Sequence, residues 1–127
     1  MHALMAVFLG AGLGGVARYL VNITAAQCFG PGFPAGTLLV NVCGSFLMGL
    51  LTACFRLRAP VLDPAWQLFF TTGLLGGFTT FSAFSLETAV MIEQGQWGLA
   101  ALYVAASVLL ALLGLFLGLQ AVRTLLA

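Results

Sequence analysis

Four apolar runs, at about residues 3–26, 35–55, 65–93 and 97–125, fill almost the entire chain. Each is long enough to cross a hydrocarbon core of about 30 Å, which takes about 20 largely apolar residues. Lipid offers no hydrogen-bond partner to a backbone N–H or C=O, so runs of this kind must be helices that satisfy their own backbone. The connectors between them are short. The expected fold is all-α and integral to the membrane, with residues 1–127 forming a single transmembrane domain of four helices. Charge agrees with that reading: 6% of residues are charged and 62% hydrophobic, where a soluble domain has about a quarter charged. Mean hydropathy is +1.16.

The same scarcity excludes several function classes. Four arginines against three acids leave no basic patch for nucleic acid. Cys28, Cys43 and Cys54 are odd in number and widely spaced, which fits buried thiols rather than a disulfide framework or a metal cluster. The one histidine, His2, sits at the terminus, and no Cys/His pair or phosphate loop occurs, so the chain is not expected to be an enzyme. No positively charged region precedes the first apolar run, which contains Arg18 and is read as a retained span rather than a signal peptide.

Along the first span, Gly10 and Gly14 form a GxxxG, offset by Ala11 and Gly15, giving one side smooth enough for close approach of another helix. Arg18 lies one turn beyond Gly14, either snorkelling to the interface or placing a charge at a pore mouth. Phe-Gly-Pro-Gly-Phe-Pro at residues 29–34 is a connecting turn. On the second span Thr37, Asn41, Ser45 and Thr52 make a polar stripe, which serves either as glue between helices or, through the Asn41 amide, as a donor to a passing anion. Arg56, Arg58, Pro60, Asp63 and Pro64 form the one charged linker.

The third span contains the most unusual stretch, GLLGGFTTFSAFSLE at residues 73–87. Gly76-Gly77 followed by Thr79-Thr80 is poor at continuing a helix, so a break is expected at about residues 76–80, near the membrane midplane. Freed backbone at that depth has to be buried in protein, line a cavity or hold an ion. Beyond it Phe81 and Phe84 share one helix face, with Ser82 and Ser85 on the next. They read either as core packing with serines bonded back to the preceding turn, or as ring edges that hold a small anion. Glu87, one turn past Phe84, is a pore-end charge or the partner of an arginine; Glu93 is a loop residue beside Gln94-Gly95-Gln96. The fourth span starts at the interfacial Trp97, places Tyr103 and Ser107 one turn apart, and carries a second GxxxG at Gly114 and Gly118.

The string GGFTTFSAFSLET, with GTLLVN at residues 36–41 and GxGLGGxxRY at residues 10–19, resembles the Fluc (CrcB-type) family of fluoride channels over essentially the whole chain. The resemblance implies an antiparallel, dual-topology homodimer in the cell (inner) membrane, with two pores that export fluoride passively. It further implies a structural sodium ion held by the backbone carbonyls of Gly76 and Thr79. Asn41, Thr80, Phe81, Ser82, Phe84, Glu87, Tyr103 and Ser107 would line the fluoride pathway, and Arg18 its vestibule. One turn past Ser107 the chain has Ala111, where a hydroxyl would continue the polar track. Arg56, Arg58 and Arg123 fall on one side of a four-span topology, a modest orientation bias where dual insertion calls for almost none. Two other classes compete: a small proton-coupled exporter working through Glu87, and a structural subunit that uses its GxxxG faces for packing alone.

Overall fold

The computed structural model describes residues 2–58 and 62–126. Its elements are α1 (His2–Phe29), α2 (Ala35–Arg58), α3 (Pro64–Leu68), a π-helical stretch (Phe69–Leu75), α4 (Gly76–Phe78), α5 (Phe81–Glu93) and α6 (Trp97–Leu126). They compose four segments long and apolar enough to cross a membrane: His2–Phe29, Ala35–Leu57, Pro64–Glu93 and Trp97–Leu126. Gly30 and Gly95 take φ of 77° and 75° in the turns after α1 and α5, a left-handed conformation that glycine adopts without a Cβ clash. Of the charged linker, Arg56 and Arg58 extend α2 while Pro60 lies outside the described residues. Asp63 caps α3, its carboxylate accepting from Ala65 N at 2.9 Å, and Pro64 follows at the first turn, where a missing N–H costs nothing.

Glycine decides which helices meet. A Cβ on Gly10 would run into Phe69 O and lie 2.8 Å from Leu74 N; one on Gly14 would run into Leu74 O and lie 2.8 Å from Phe78 N. Gly77 is pressed in the same way against Ala11. The GxxxG side of α1 therefore packs on the π-helical stretch and α4, while Gly15, its offset neighbour, faces open space. A second seam joins α2 to α6. Gly118 lies against Phe46 and Leu50, Gly49 against Leu115 and Leu119, and Gly114 has Val42 O 3.2 Å from where its Cβ would be. Two parallel helix pairs result, and in lipid such contacts hold by dispersion over matched backbone surfaces rather than by expulsion of water.

The third segment differs in detail from the sequence expectation. Gly76 and Gly77 are helical rather than part of the disruption, because Gly77 is needed at the α1 contact and Gly76 still continues the ladder. The extended backbone is confined to Thr79 (φ −84°, ψ 159°) and Thr80 (φ −155°, ψ 118°). The π-helical stretch ahead of it had no counterpart in the sequence reading.

Few large side chains are buried. Val40 and Tyr103 are fully enclosed, and Phe84, Met91 and Ala100 join Tyr103 in a small cluster against Phe33, Leu38, Ile92 and Leu99. Most other large apolar residues, Phe8, Leu13, Leu109 and Phe116 among them, point outward. That distribution suits lipid as solvent and makes this a multi-pass membrane protein.

Candidate functional site

Where the third segment becomes extended, Asn41 of α2 holds it. Asn41 Oδ1 accepts from Thr80 N at 2.8 Å, and Asn41 Nδ2 donates to Thr80 O at 3.0 Å. The amide thus acts as a one-residue strand partner, satisfying both backbone groups of a residue that has left the helix. Thr80 then restarts the chain as the N-cap of α5, its Oγ1 accepting from Ala83 N at 3.1 Å and sharing a hydrogen bond with Ser82 Oγ at 3.2 Å. One Nδ2 hydrogen of Asn41 is committed to Thr80 O, so the amide has one donor left for a ligand rather than the two the sequence reading gave it.

These bonds have a consequence for the carbonyls on either side. In an unbroken helix Gly76 O would accept from Thr80 N, and Thr79 O from Ala83 N. Thr80 N is turned to Asn41 Oδ1 and Ala83 N to Thr80 Oγ1, while Thr79 N still closes the last helical bond to Leu75 O at 3.0 Å. Gly76 O and Thr79 O are thereby released from their helical donors, Gly76 being exposed and Thr79 partly so. Two hard oxygens on an accessible face suit an alkali or alkaline-earth cation. Among the described residues no group of three or more His, Cys, Asp or Glu is placed to hold a metal.

Past the cap, Phe84 turns inward and Phe81 outward. Phe84 is buried while Phe81 is 77% exposed, their ring centroids 5.5 Å apart. Phe84 packs on Tyr103 at 5.2 Å, and Tyr103 meets Phe33 edge-on at 5.5 Å. Tyr103 Oη donates to Glu87 Oε2 at 2.6 Å, and Thr37 Oγ1 donates to Glu87 Oε1 at 2.7 Å. In the single chain the Glu87 carboxylate is thus held by two hydroxyls rather than by an arginine. Ser85 bonds back to Phe81 O at 2.9 Å, the bland half of the serine expectation.

Two cavities flank this cluster. One, of about 400 Å³, lies between α2, α5 and α6 and is lined by Asn41, Ser45, Thr80, Phe81, Phe84 and Ser107 among others. Ala111 is also on its wall, where the side continues with Leu112 and Leu115, so the polar track ends at Ser107. Ser107 Oγ is buried there without a hydrogen-bond partner. The other, of about 460 Å³, opens beside the 30–34 connector and is lined by Thr37, Glu87, Gln94, Gln96 and Asn22. Phe84 belongs to the first wall and Glu87 to the second, and the fully buried Tyr103, which lines neither, links them by packing on Phe84 and donating to Glu87.

Of the residues singled out from sequence, Asn41, Thr80, Phe81, Phe84, Ser107, Glu87 and Tyr103 converge on this two-chambered cleft. Ser82 lies exposed at its edge, and Arg18 is half-buried on α1 outside the linings of both chambers. Three contributors were not anticipated in those roles. Thr37 is the second partner of Glu87, legible only as a member of the α2 stripe; Phe33 comes from the connector and carried no signal; Asn22 of α1 brings a buried Oδ1 with no partner to the second chamber.

Comparison with known proteins adds an independent line. Residues 5–119 match the model of the family described as CrcB-like protein, Camphor Resistance (CrcB). The chain is similar to the fluoride-specific ion channel FluC 2 of Nitrobacter hamburgensis, 54% identical over 117 residues, covering 92% of this chain and 94% of that protein. It is 53% identical over 125 residues to the fluoride-specific ion channel FluC of Granulibacter bethesdensis, covering 98% of each. With the protein of the same name from Methylobacterium nodulans it shares 50% identity over 119 residues, 94% of each.

Proposed function

Because this chain belongs to the CrcB family of membrane channels, which are not enzymes, we propose that it is a fluoride-selective channel exporting fluoride passively. The observation that carries the reading is the pair of cavities on either side of the Phe84–Tyr103 contact, the first lined by Asn41, Thr80, Phe81, Phe84 and Ser107 and the second by Glu87 and Thr37. Fluoride is strongly hydrated, so a pathway has to replace several waters at once, yet a fixed cation would trap the ion. The first chamber offers one Asn41 N–H, the hydroxyls of Thr80 and Ser107, and the rings of Phe81 and Phe84, whose edges are positive, with Ser82 bonded to Thr80 at its edge and, among the described residues, no cation in either lining. Glu87 stands at the second chamber with both carboxylate oxygens occupied by the hydroxyl protons of Thr37 and Tyr103, which lowers the charge density that a passing anion meets there. Arg18, on α1, adds a positive charge that draws anions toward the vestibule.

One four-helix chain leaves Phe81 and the first chamber open at its surface, which favours assembly with a second copy. The proposed assembly is an antiparallel, dual-topology homodimer in the inner membrane, with the Thr79-Thr80 break near the midplane and one fluoride path along each α5–α6 face. In that assembly the released carbonyls of Gly76 and Thr79, doubled by the partner copy, would hold a sodium ion at the centre. When bound, that ion supplies a fixed positive charge joining the two broken segments; the residues around it set the fluoride path.

The test is efflux from liposomes followed with a fluoride electrode, chloride run in parallel. Fast fluoride release without chloride, lost in Phe81→Ala, Phe84→Ala and Asn41→Ala while the dimer survives, is the expected result. A well-folded dimer with no flux would remove the channel reading and leave a packing subunit. A requirement for a sodium gradient, rather than for sodium itself, would overturn the structural role of the ion. The half-buried Glu87 carboxylate in a membrane helix keeps a proton-coupled exporter as the second reading, and flux driven by an imposed pH gradient would select it.

A further inference from the structure

A third cavity, of about 310 Å³, lies where α2 and α6 end together, away from both chambers. Its floor is aliphatic, with Ala53 and Val122 buried and Leu57 and Leu119 at the sides, and among the described residues its polar lining consists of Arg56 and Arg123. Among the described residues no carboxylate is in the lining. Because α2 and α6 run parallel, both carboxyl ends converge here. Each contributes roughly half a negative charge from its terminal carbonyls, against which the groove sets two guanidiniums. Two cationic side chains thus stand over an apolar slot at the end of two membrane-spanning helices.

We propose that this groove is a binding site for an anionic phospholipid, with the phosphate on Arg56 and Arg123 and an acyl chain along the aliphatic floor. A planar guanidinium matches two phosphate oxygens at once, and two of them at one groove mouth favour a headgroup with net negative charge over a zwitterionic one. Inorganic phosphate would satisfy the arginines and leave the floor uncovered, so the chemistry of the whole groove points to the lipid. The site stands apart from the fluoride pathway, sharing no lining residue with it.

Native mass spectrometry of the detergent-purified full chain, titrated with phosphatidylglycerol or phosphatidylcholine, tests it without reference to insertion orientation. The expected result is a preference of about tenfold for phosphatidylglycerol, abolished in Arg56→Gln/Arg123→Gln and partly kept in Arg56→Lys/Arg123→Lys, where charge remains but the fork is lost. Glycerol phosphate, the headgroup without its chains, should not compete at equal concentration. Equal binding of both lipids by the parent, retention of the preference in the glutamine variant, or full competition by glycerol phosphate would each overturn the proposal. Unchanged elution and fluoride efflux of the variants in phosphatidylcholine liposomes show that a lost preference is not misfolding. Should the double glutamine variant not fold, the lysine pair and each single glutamine variant carry the same comparison.

Discussion

Helix α2 is held to its neighbours by two opposite means. Against α6 it presents Gly49, with Gly114 and Gly118 facing back, so that backbone lies on backbone along a seam. Against the third segment it sends out side chains: Asn41 takes both backbone groups of Thr80, and Thr37 reaches Glu87. The seam works by shape, since lipid gives helices no hydrophobic reason to associate, and many weak contacts sum only if the surfaces match. The polar junction works by direction, with few bonds that fix where one strand-like residue sits. The seam therefore governs whether the bundle exists, and the junction governs where the cleft's groups stand.

The sharpest way to break that comparison is at the seam. A leucine at Gly118 would drive its Cβ into Phe46 O, with Leu50 N at 2.9 Å and Gly49 Cα at 3.2 Å, all backbone that cannot swing aside. Gly118→Leu is expected to cost more than about 3 kcal/mol and to abolish the monodisperse species in size-exclusion chromatography. Gly12→Leu and Gly15→Leu, where nothing lies within 4 Å, should leave the profile intact. If Gly118→Leu were as well tolerated as those two, the seam would not be what joins α2 to α6.

Those seams and the span count were legible in the sequence, and for a physical reason. Length and apolarity alone dictate helices in lipid, and glycines four apart mark where backbones can touch. The position of the cleft was legible too, because paired threonines and alternating Phe and Ser do not suit a plain membrane helix. What the residues did not disclose was which groups satisfy which. The break was expected across residues 76–80, yet Gly77 serves the α1 contact and the extended backbone narrows to Thr79 and Thr80, where Asn41, 39 residues away, takes the Thr80 backbone. Glu87 likewise read as a pore-end charge or the partner of an arginine. Its partners Thr37 and Tyr103 lie on other helices, at separations of 50 and 16 residues, and no local pattern records such a meeting.

The junction should yield a smaller effect, and one that separates position from existence. Asn41→Ala leaves Thr80 N–H and C=O without their partners in a part-buried place, a loss of about 1–3 kcal/mol. Thr80 N–H is then available to Gly76 O again, so the variant is expected to favour a continuous helix and to lose the released carbonyls. The outcome sought is a bundle that still elutes normally, with amide exchange at Thr80 changed and fluoride efflux lost. Unchanged exchange at Thr80 would mean that the extended residues hold themselves, and that Asn41 is a bystander to the break.

Tyr103→Phe comes next. It removes the 2.6 Å bond to Glu87 Oε2 and keeps the ring contacts to Phe84 and Phe33. Hydrogen bonds between membrane helices average about 0.6 kcal/mol and reach about 1.7, so a thermal-unfolding shift of that size is expected, below that of Asn41→Ala. A larger loss would move Tyr103 from the junction's side of the comparison to the seam's, as a residue the bundle cannot form without.

Glu87→Gln sharpens the junction further, because it changes chemistry while sparing geometry. The side chain keeps its volume, and its amide has one acceptor and two donors where the carboxylate had two acceptors. A hydroxyl both donates and accepts, so Tyr103 can continue to donate to the amide oxygen while Thr37 turns to accept from the amide nitrogen, or the reverse. Stability should therefore change by no more than about 0.5 kcal/mol, the smallest effect in the series. Transport in the same variant decides what the carboxylate is for. In a passive channel, efflux from parent and variant alike follows the fluoride gradient and ignores an imposed pH gradient, whatever the change in rate. Flux in the parent that tracks the pH gradient, and loses that dependence in Glu87→Gln, would make the cleft a proton-coupled site whose two hydroxyls hold a titrating acid.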